Sequence, residues 1–194
     1  ASFAYEGARQ VLADFLNAEL DEVVFTKSAT ESINALAYSF GNSTPGSRFV
    51  LKPGDRIVVS EIEHHANLIP WQQLAKRTGA ELVWFSVDPD GRLDQSNLEE
   101  LISASTKIVA ITHQSNVLGT IVPLKDIVSR AHSVGAVVVL DACQSAPHFA
   151  IDVKALDIDF LAFSAHKALG PTGIGILWGR SEFLNSMEPF LTGG

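Results

Sequence analysis

Lys167 is the residue in this sequence whose setting most strongly calls for chemistry. It lies within Leu161-Ala-Phe-Ser-Ala-His-Lys-Ala-Leu-Gly-Pro-Thr-Gly-Ile-Gly-Ile-Leu-Trp178, between two apolar runs of β-forming residues. Burying an ammonium is costly, so a lysine among such neighbours needs a reason. A partly apolar pocket eases loss of its proton and leaves a nucleophilic amine, as a Schiff-base lysine requires. The competing reading is a solvated lysine on an inter-strand loop. A second residue shifts the balance. Val137-Val-Val-Leu-Asp141 reads as a buried parallel strand with an acid at its carboxyl end. Ser164, His166 and Lys167 follow another such strand, Phe160 to Phe163. Open α/β sheets bind ligands at the carboxyl ends of their strands, so the acid and the lysine can face one crevice. Pyridoxal 5'-phosphate needs that pair: a lysine for its aldehyde, and an acid that keeps the ring nitrogen protonated and the ring electron-withdrawing.

A third group of candidates lies earlier. Thr26-Lys-Ser-Ala-Thr-Glu-Ser-Ile-Asn34 is a hydroxyl-rich turn running into a helix that ends near Phe40. Such a turn presents free N–H groups and the positive end of the helix dipole to a phosphate. Ordinary N-capping by Ser28 or Thr30 explains the same residues. His64 and His65 follow the strand Arg56 to Ser60. Adjacent residues do not face one point, and no Cys or carboxylate spacing supports zinc, so no metal site is expected. A histidine just past a strand end can instead lie flat on a cofactor ring.

The elements that must position these groups alternate between strand and helix. Phe3 to Ala18 is a packing helix with Val11, Leu12, Phe15 and Leu16 on one face. Strands are expected at 22–25, 56–60, 82–86, 107–112, 137–141 and 160–163. Helices are expected from Leu68 to Thr78, ending at Gly79, from Leu98 to Ile102, and from Pro123 to Val134, ending at Gly135. His132 falls on the surface of that last helix with no expected role. There is no repeat and no internal linker. The fold class is therefore α/β, three layers around a mainly parallel sheet with right-handed connections.

Composition bounds the partners. The chain has 194 residues, 46% hydrophobic, with a net charge of −8. That suffices for one domain with a substantial core and argues against nucleic acid as a partner. No run is long enough to span a membrane as a helix. The single cysteine, Cys143, excludes an internal disulfide and fits a reducing, cytoplasmic setting, or an organelle if a transit peptide once preceded the chain. A start at Ala1 within a helical pattern and a turn-like Gly193-Gly194 read as a piece of a longer protein. No Gly-x-Gly-x-x-Gly follows the first strand, which weakens a nicotinamide-binding reading.

Four motifs in order, Glu63-His-His-Ala-Asn-Leu-Ile-Pro-Trp71, Thr112-His-Gln-Ser-Asn-Val-Leu-Gly119, Asp141-Ala-Cys-Gln144 and Ser164-Ala-His-Lys167 with Gly170-Pro-Thr-Gly-Ile-Gly175, resemble the class V aminotransferase family. Within it they are most similar to the cysteine desulfurases and selenocysteine lyases of iron–sulfur cluster assembly. The resemblance implies the large domain of a fold type I pyridoxal-phosphate enzyme, over 1–194, without the family's N-terminal segment and C-terminal small domain. It implies Lys167 as the Schiff-base lysine, Asp141 on the ring nitrogen, and His64 in stacking and proton transfer. Asn116 and Gln144 would lie near the ring oxygen, and Ala29, Thr30, Glu31, Ser164 and His166 around the phosphate. It implies L-cysteine as substrate, alanine and a persulfide as products, a sulfur-acceptor protein and a homodimer. The family's nucleophilic cysteine and substrate arginine belong to the C-terminal part, so Cys143, where the family usually has a small residue, is expected to be structural. Other class V chemistry (selenocysteine lyase, epimerase, aminotransferase) and a non-catalytic module that kept the fold stay open.

Overall fold

A computed structural model describes residues 2–193. Seven strands form one sheet: β1 (Val23–Thr26), β2 (Arg56–Ser60), β3 (Glu81–Phe85), β4 (Thr106–Thr112), β5 (Val137–Asp141), β6 (Phe160–Ser164) and β7 (Gly175–Gly179). Their spatial order is β1-β7-β6-β5-β4-β2-β3. The β3, β2, β4, β5 and β6 strands run parallel, whereas β7 is antiparallel to both its neighbours. The sequence explains the exception: the connection 165–174 is shorter than the dozen or so residues that a parallel crossover needs. Strands β5, β6 and β7 are buried along their whole length, as their unbroken apolar runs require.

Among the described residues, seven α-helices complete the fold: α1 (Ser2–Leu16), α2 (Ala29–Gly41), α3 (Ile69–Thr78), α4 (Leu98–Leu101), α5 (Leu124–Ser133), α6 (Val153–Leu156) and α7 (Ser181–Leu184). The chain steps from β2 outward to β3, but from β4 it steps the other way, to β5 and then β6. Right-handed crossovers in opposite directions put α3 on one face and α5 on the other, giving three layers. The two phenylalanines of β6 show both faces in use. The Phe160 ring packs edge-on against Phe40 of α2, while Phe163, on the opposite face, meets Phe15 of α1. The reversal of strand order falls between β2 and β4, the position where such sheets open a crevice at their carboxyl ends.

Two expectations need correction. Of the apolar face expected for α1, only Leu16 is buried, together with Ala13; Val11 and Phe15 stay exposed. The helix touches the sheet mainly at its edge strand, β1, with Phe15 reaching Phe163 of β6, so much of its stripe stays uncovered among the described residues. His132 is not an idle surface residue. It bonds Asp159 at 3.0 Å and lies 3.4 Å from Asp157. Buried Asp159 also accepts the Val138 N–H and faces the Arg180 guanidinium at 3.0 Å. This cluster ties the amino end of β5 to the start of β6, away from the crevice.

Candidate active site

The lysine side of the crevice starts where β6 ends. A short 3-10 turn, Ala165–Ala168, carries His166 and Lys167. The Ala165 N–H bonds Ile174 and the Gly170 N–H returns to Ala165, so the turn is closed on itself. Leu169 ends it with φ of 62°, a left-handed conformation that costs a non-glycine residue about 1 kcal/mol or more and that favours functional turns. His166 is exposed and Lys167 half-buried. The expected apolar pocket is thus a lip: the turn projects past the sheet end, and the Lys167 ammonium makes no hydrogen bond or ion pair among the described residues.

The helix α2 is fastened to this turn. The Ala29 N–H donates to Ser164 Oγ at 2.9 Å, which leaves the serine its own proton to donate elsewhere. Ser28 is the N-cap, accepting from the Glu31 N–H at 3.2 Å. Of the two capping candidates, Ser28 caps the helix and Thr30 does not. Hydroxyls already engage the Ala29 and Glu31 N–H groups, and the Thr30 N–H, on an exposed residue, has no partner among the described residues. The Glu31 carboxylate is turned back onto the Lys27 N–H at 2.6 Å, and its own N–H is already taken by Ser28. The turn sits tight on the sheet: a Cβ on Gly175 would come within 2.3 Å of Ser28 backbone.

Asp141 closes β5, in register with Thr112 of β4 and Ala162 of β6, and is 3% exposed. Its Oδ1 accepts the Cys143 N–H at 2.9 Å, and its carbonyl accepts the His113 N–H. Gln144 follows, half-buried. Burial, reinforced by the Asp141 charge, pushes the Cys143 thiol up to about 12, while the Lys167 ammonium pulls it down. Acid, thiol and lysine therefore share one neighbourhood. A thiol held so firmly protonated is a core side chain, not a nucleophile.

On the histidine side, β2 ends at Ser60 and β4 at Thr112. Their loops together line a cleft of 410 Å³, with Glu61 to His65 on one wall and Ser115 to Leu118 on the other. This is the point where strand order reverses. His64 is exposed, its Nδ1 accepting the Ala66 N–H at 3.1 Å, and Asn116 is exposed across the cleft. Sequence reasoning gives Glu63 no role, yet its carboxyl group organises this side. It accepts from Asn67 Nδ2 at 2.7 Å and the Thr112 N–H at 2.9 Å, and meets Ser60 Oγ at 2.5 Å. Part of the residue still faces the cleft, but burial of the carboxyl pushes it up to about 8, against the pull of these bonds. The spacing of Glu63, Asn67 and Trp71, whose Nε1–H reaches Asn67 Oδ1 at 3.0 Å, was the signal available: polar partners four residues apart.

Neighbouring strands lie about 4.8 Å apart, so the loops after β4, β5 and β6 set Asn116, Asp141 and Lys167 across roughly 10 Å of one sheet edge. An amine, a buried acid and a helix N-terminus in one crevice suit an anionic aromatic ligand: a carbonyl for the lysine, a basic ring nitrogen for the acid, a phosphate for α2. Fold and site together define an open α/β domain whose functional groups gather at the strand ends.

The chain belongs to the class-V aminotransferase family, whose model matches residues 1–194. It is 52% identical over 195 residues to a probable cysteine desulfurase of Streptomyces coelicolor, a match covering 100% of this chain and 46% of that protein. It is 48% identical to a cysteine desulfurase of Haloferax volcanii, covering 100% and 45%. Among solved structures, the cysteine desulfurase CsdA of Escherichia coli superposes with a TM-score of 0.92 at 45% identity, covering 100% of this chain and 47% of that one. A structure of SspA in complex with cysteine gives 0.83 at 32%, covering 97% and 52%. The chain thus spans about half the length of the curated relatives it matches.

Proposed function

We propose that this chain is the cofactor-binding half of a pyridoxal-phosphate-dependent cysteine desulfurase, which takes sulfur from L-cysteine, leaves alanine and passes a persulfide to an acceptor protein. The observation that carries the reading is the meeting of Lys167, Asp141 and the α2 N-terminus, fastened through Ala29 and Ser164, at the carboxyl ends of parallel strands. Relatives named cysteine desulfurase at about half identity support it.

Pyridoxal phosphate, when bound, supplies an electron sink that weakens bonds at the substrate's α-carbon. The donor set fits it. Lys167 is an amine without a competing partner among the described residues. Asp141, buried and reached among the described residues by one backbone N–H at Oδ1, would hold a ring nitrogen in its protonated form. The Thr30 N–H and the Ser164 hydroxyl proton are donors for phosphate, strengthened by the positive end of α2, with His166 beside them. His64 would lie against the ring, and its Nε2 would be the atom to move a proton, since Nδ1 is engaged by Ala66. Asn116 and Gln144 would flank the ring oxygen. Cys143 takes no part in sulfur transfer, because its thiol stays protonated at physiological pH. The sulfur-accepting thiolate, the substrate arginine and the second subunit of a homodimer lie outside this chain.

A chimaera tests the reading: this chain replaces the matching half of the Streptomyces coelicolor relative, and alanine is assayed with L-cysteine, pyridoxal phosphate and a reductant. Alanine formation lost on Lys167→Ala is expected. Alanine formation that survives that change, or none from a chimaera that carries the cofactor on Lys167, would overturn it.

A further inference from the structure

The His64 loop has little reason of its own to hold still. His64 is exposed, joins β2 to a single 3-10 turn, His65–Asn67, that it caps, and its ring makes one bond, to a backbone N–H two residues on. A ring that must lie flat against a ligand needs its backbone fixed to within a fraction of an ångström. The neighbouring side chain supplies what the loop lacks. Glu63 bridges three elements at once: the end of β2 through Ser60, the approach to α3 through Asn67, and the last residue of β4 through the Thr112 N–H. Thr112 is the β4 residue in register with Asp141. One carboxyl group thereby sets the height of the histidine loop against that of the acid, across the place where strand order reverses.

We infer that Glu63 is a positioning residue that clamps the His64 loop to β4 at the level of Asp141, and so fixes the imidazole relative to the acid. The inference rests on the proposed function for what His64 faces, but the clamp itself does not. Donor counting makes it specific. The Trp71 indole N–H occupies Asn67 Oδ1, so the Asn67 amide must turn its N–H groups to Glu63. Glu63→Gln turns an amide NH₂ toward the Asn67 NH₂, or else toward the Thr112 N–H, and one bond is lost in either orientation. Adding Asn67→Asp reverses the polarity: the introduced amide donates to the new carboxylate, whose other oxygen still accepts from Trp71. A side chain that merely fills space would not respond to this reversal.

The test compares Glu63→Gln, the Glu63→Gln/Asn67→Asp pair, His64→Ala, and Glu63→Gln combined with His64→Ala. Two readouts are used. In the free chain, amide exchange at Ala66 and Thr112 should speed up roughly tenfold in Glu63→Gln, the loss of one hydrogen bond's worth of local closure, and return to the parent value in the pair. In the chain loaded with pyridoxal phosphate, the cofactor's visible circular dichroism per bound cofactor should fall in Glu63→Gln and recover in the pair. Glu63→Gln added to His64→Ala should lower it no further, because a positioning residue acts only through the residue it positions. Unchanged exchange in Glu63→Gln, no recovery in the pair, or a further fall on top of His64→Ala would each overturn the inference. Attachment of the cofactor to a lysine other than Lys167 would instead sink the proposed function, and the exchange arm would still decide on the clamp.

Discussion

The two sides of the crevice are built differently. The histidine side is internally complete: the Glu63 carboxyl, the Asn67 amide and the Trp71 indole satisfy one another, and their loops enclose a cleft. The lysine side has groups to spare: the Lys167 ammonium, the Thr30 N–H and the Ser164 hydroxyl proton have no acceptor among the described residues. One side is a rigid wall and the other a set of donors. On the proposed function, preorganisation lies where a ring would be oriented, and open valence where an anion and a carbonyl would be captured. What joins the sides is β5, whose Asp141 is in register with both neighbours.

The largest expected effect falls on the seating of the donor side. Gly175→Ala drives a methyl group to within 2.3 Å of Ser28 backbone, so the α2 turn must lift off the sheet. Overpacking of this kind should cost about 3 kcal/mol and lower Tm by roughly 6–12 °C. A thermal melt within ~2 °C of the parent would show that the turn is not held tightly.

A middle-sized effect sharpens the description of the rigid wall. The Glu63 carboxyl titrates near 4.5 in an unfolded chain and at about 8 here, because it is buried. Between those values the folded chain keeps a proton that the unfolded chain has released. The stability tied to that proton is fully present below about 4.5 and is lost as pH rises through about 8. His113 runs the other way: burial lowers it from 6.5 to about 4, so its contribution is lost as pH falls through that window. Urea midpoints between pH 7 and 8.5 isolate the Glu63 part, and Glu63→Gln should flatten the decline. An equal decline in the variant would place the titrating group elsewhere.

The smallest effect concerns the thiol between the sides. Cys143 is 8% exposed and held protonated, so an aromatic disulfide reagent should label it in urea but hardly at all in the folded chain. Cys143→Ala should cost no more than about 1 kcal/mol. Rapid labelling of the native chain would reopen a chemical role for it.

Much of this is legible in the sequence because the strands are apolar runs and the chemistry sits just after them. Asp141 and Lys167 both announce themselves as polar residues at the ends of such runs, and Gly79 and Gly135 end helices with positive φ as expected. The antiparallel β7 follows from the short connection before it. Other features depend on partners distant in the chain. The Ala29–Ser164 bond joins residues 135 apart, and Glu63 reaches Thr112 over 49. The half-buried state of Lys167 is hidden because apolar flanks in sequence describe the strands on either side, not the turn that carries the lysine beyond them. The role of His132 is hidden because its acidic partners, Asp157 and Asp159, come from the connection that ends a different crossover.

The central claim is that the two sides meet around one cofactor held by one lysine. The direct measurement is borohydride reduction of the chain after incubation with pyridoxal phosphate, followed by peptide mapping. A single modified peptide containing Lys167, absent in Lys167→Ala and unchanged in Lys154→Ala, is the predicted result; label on another lysine, or label spread among several, would contradict it.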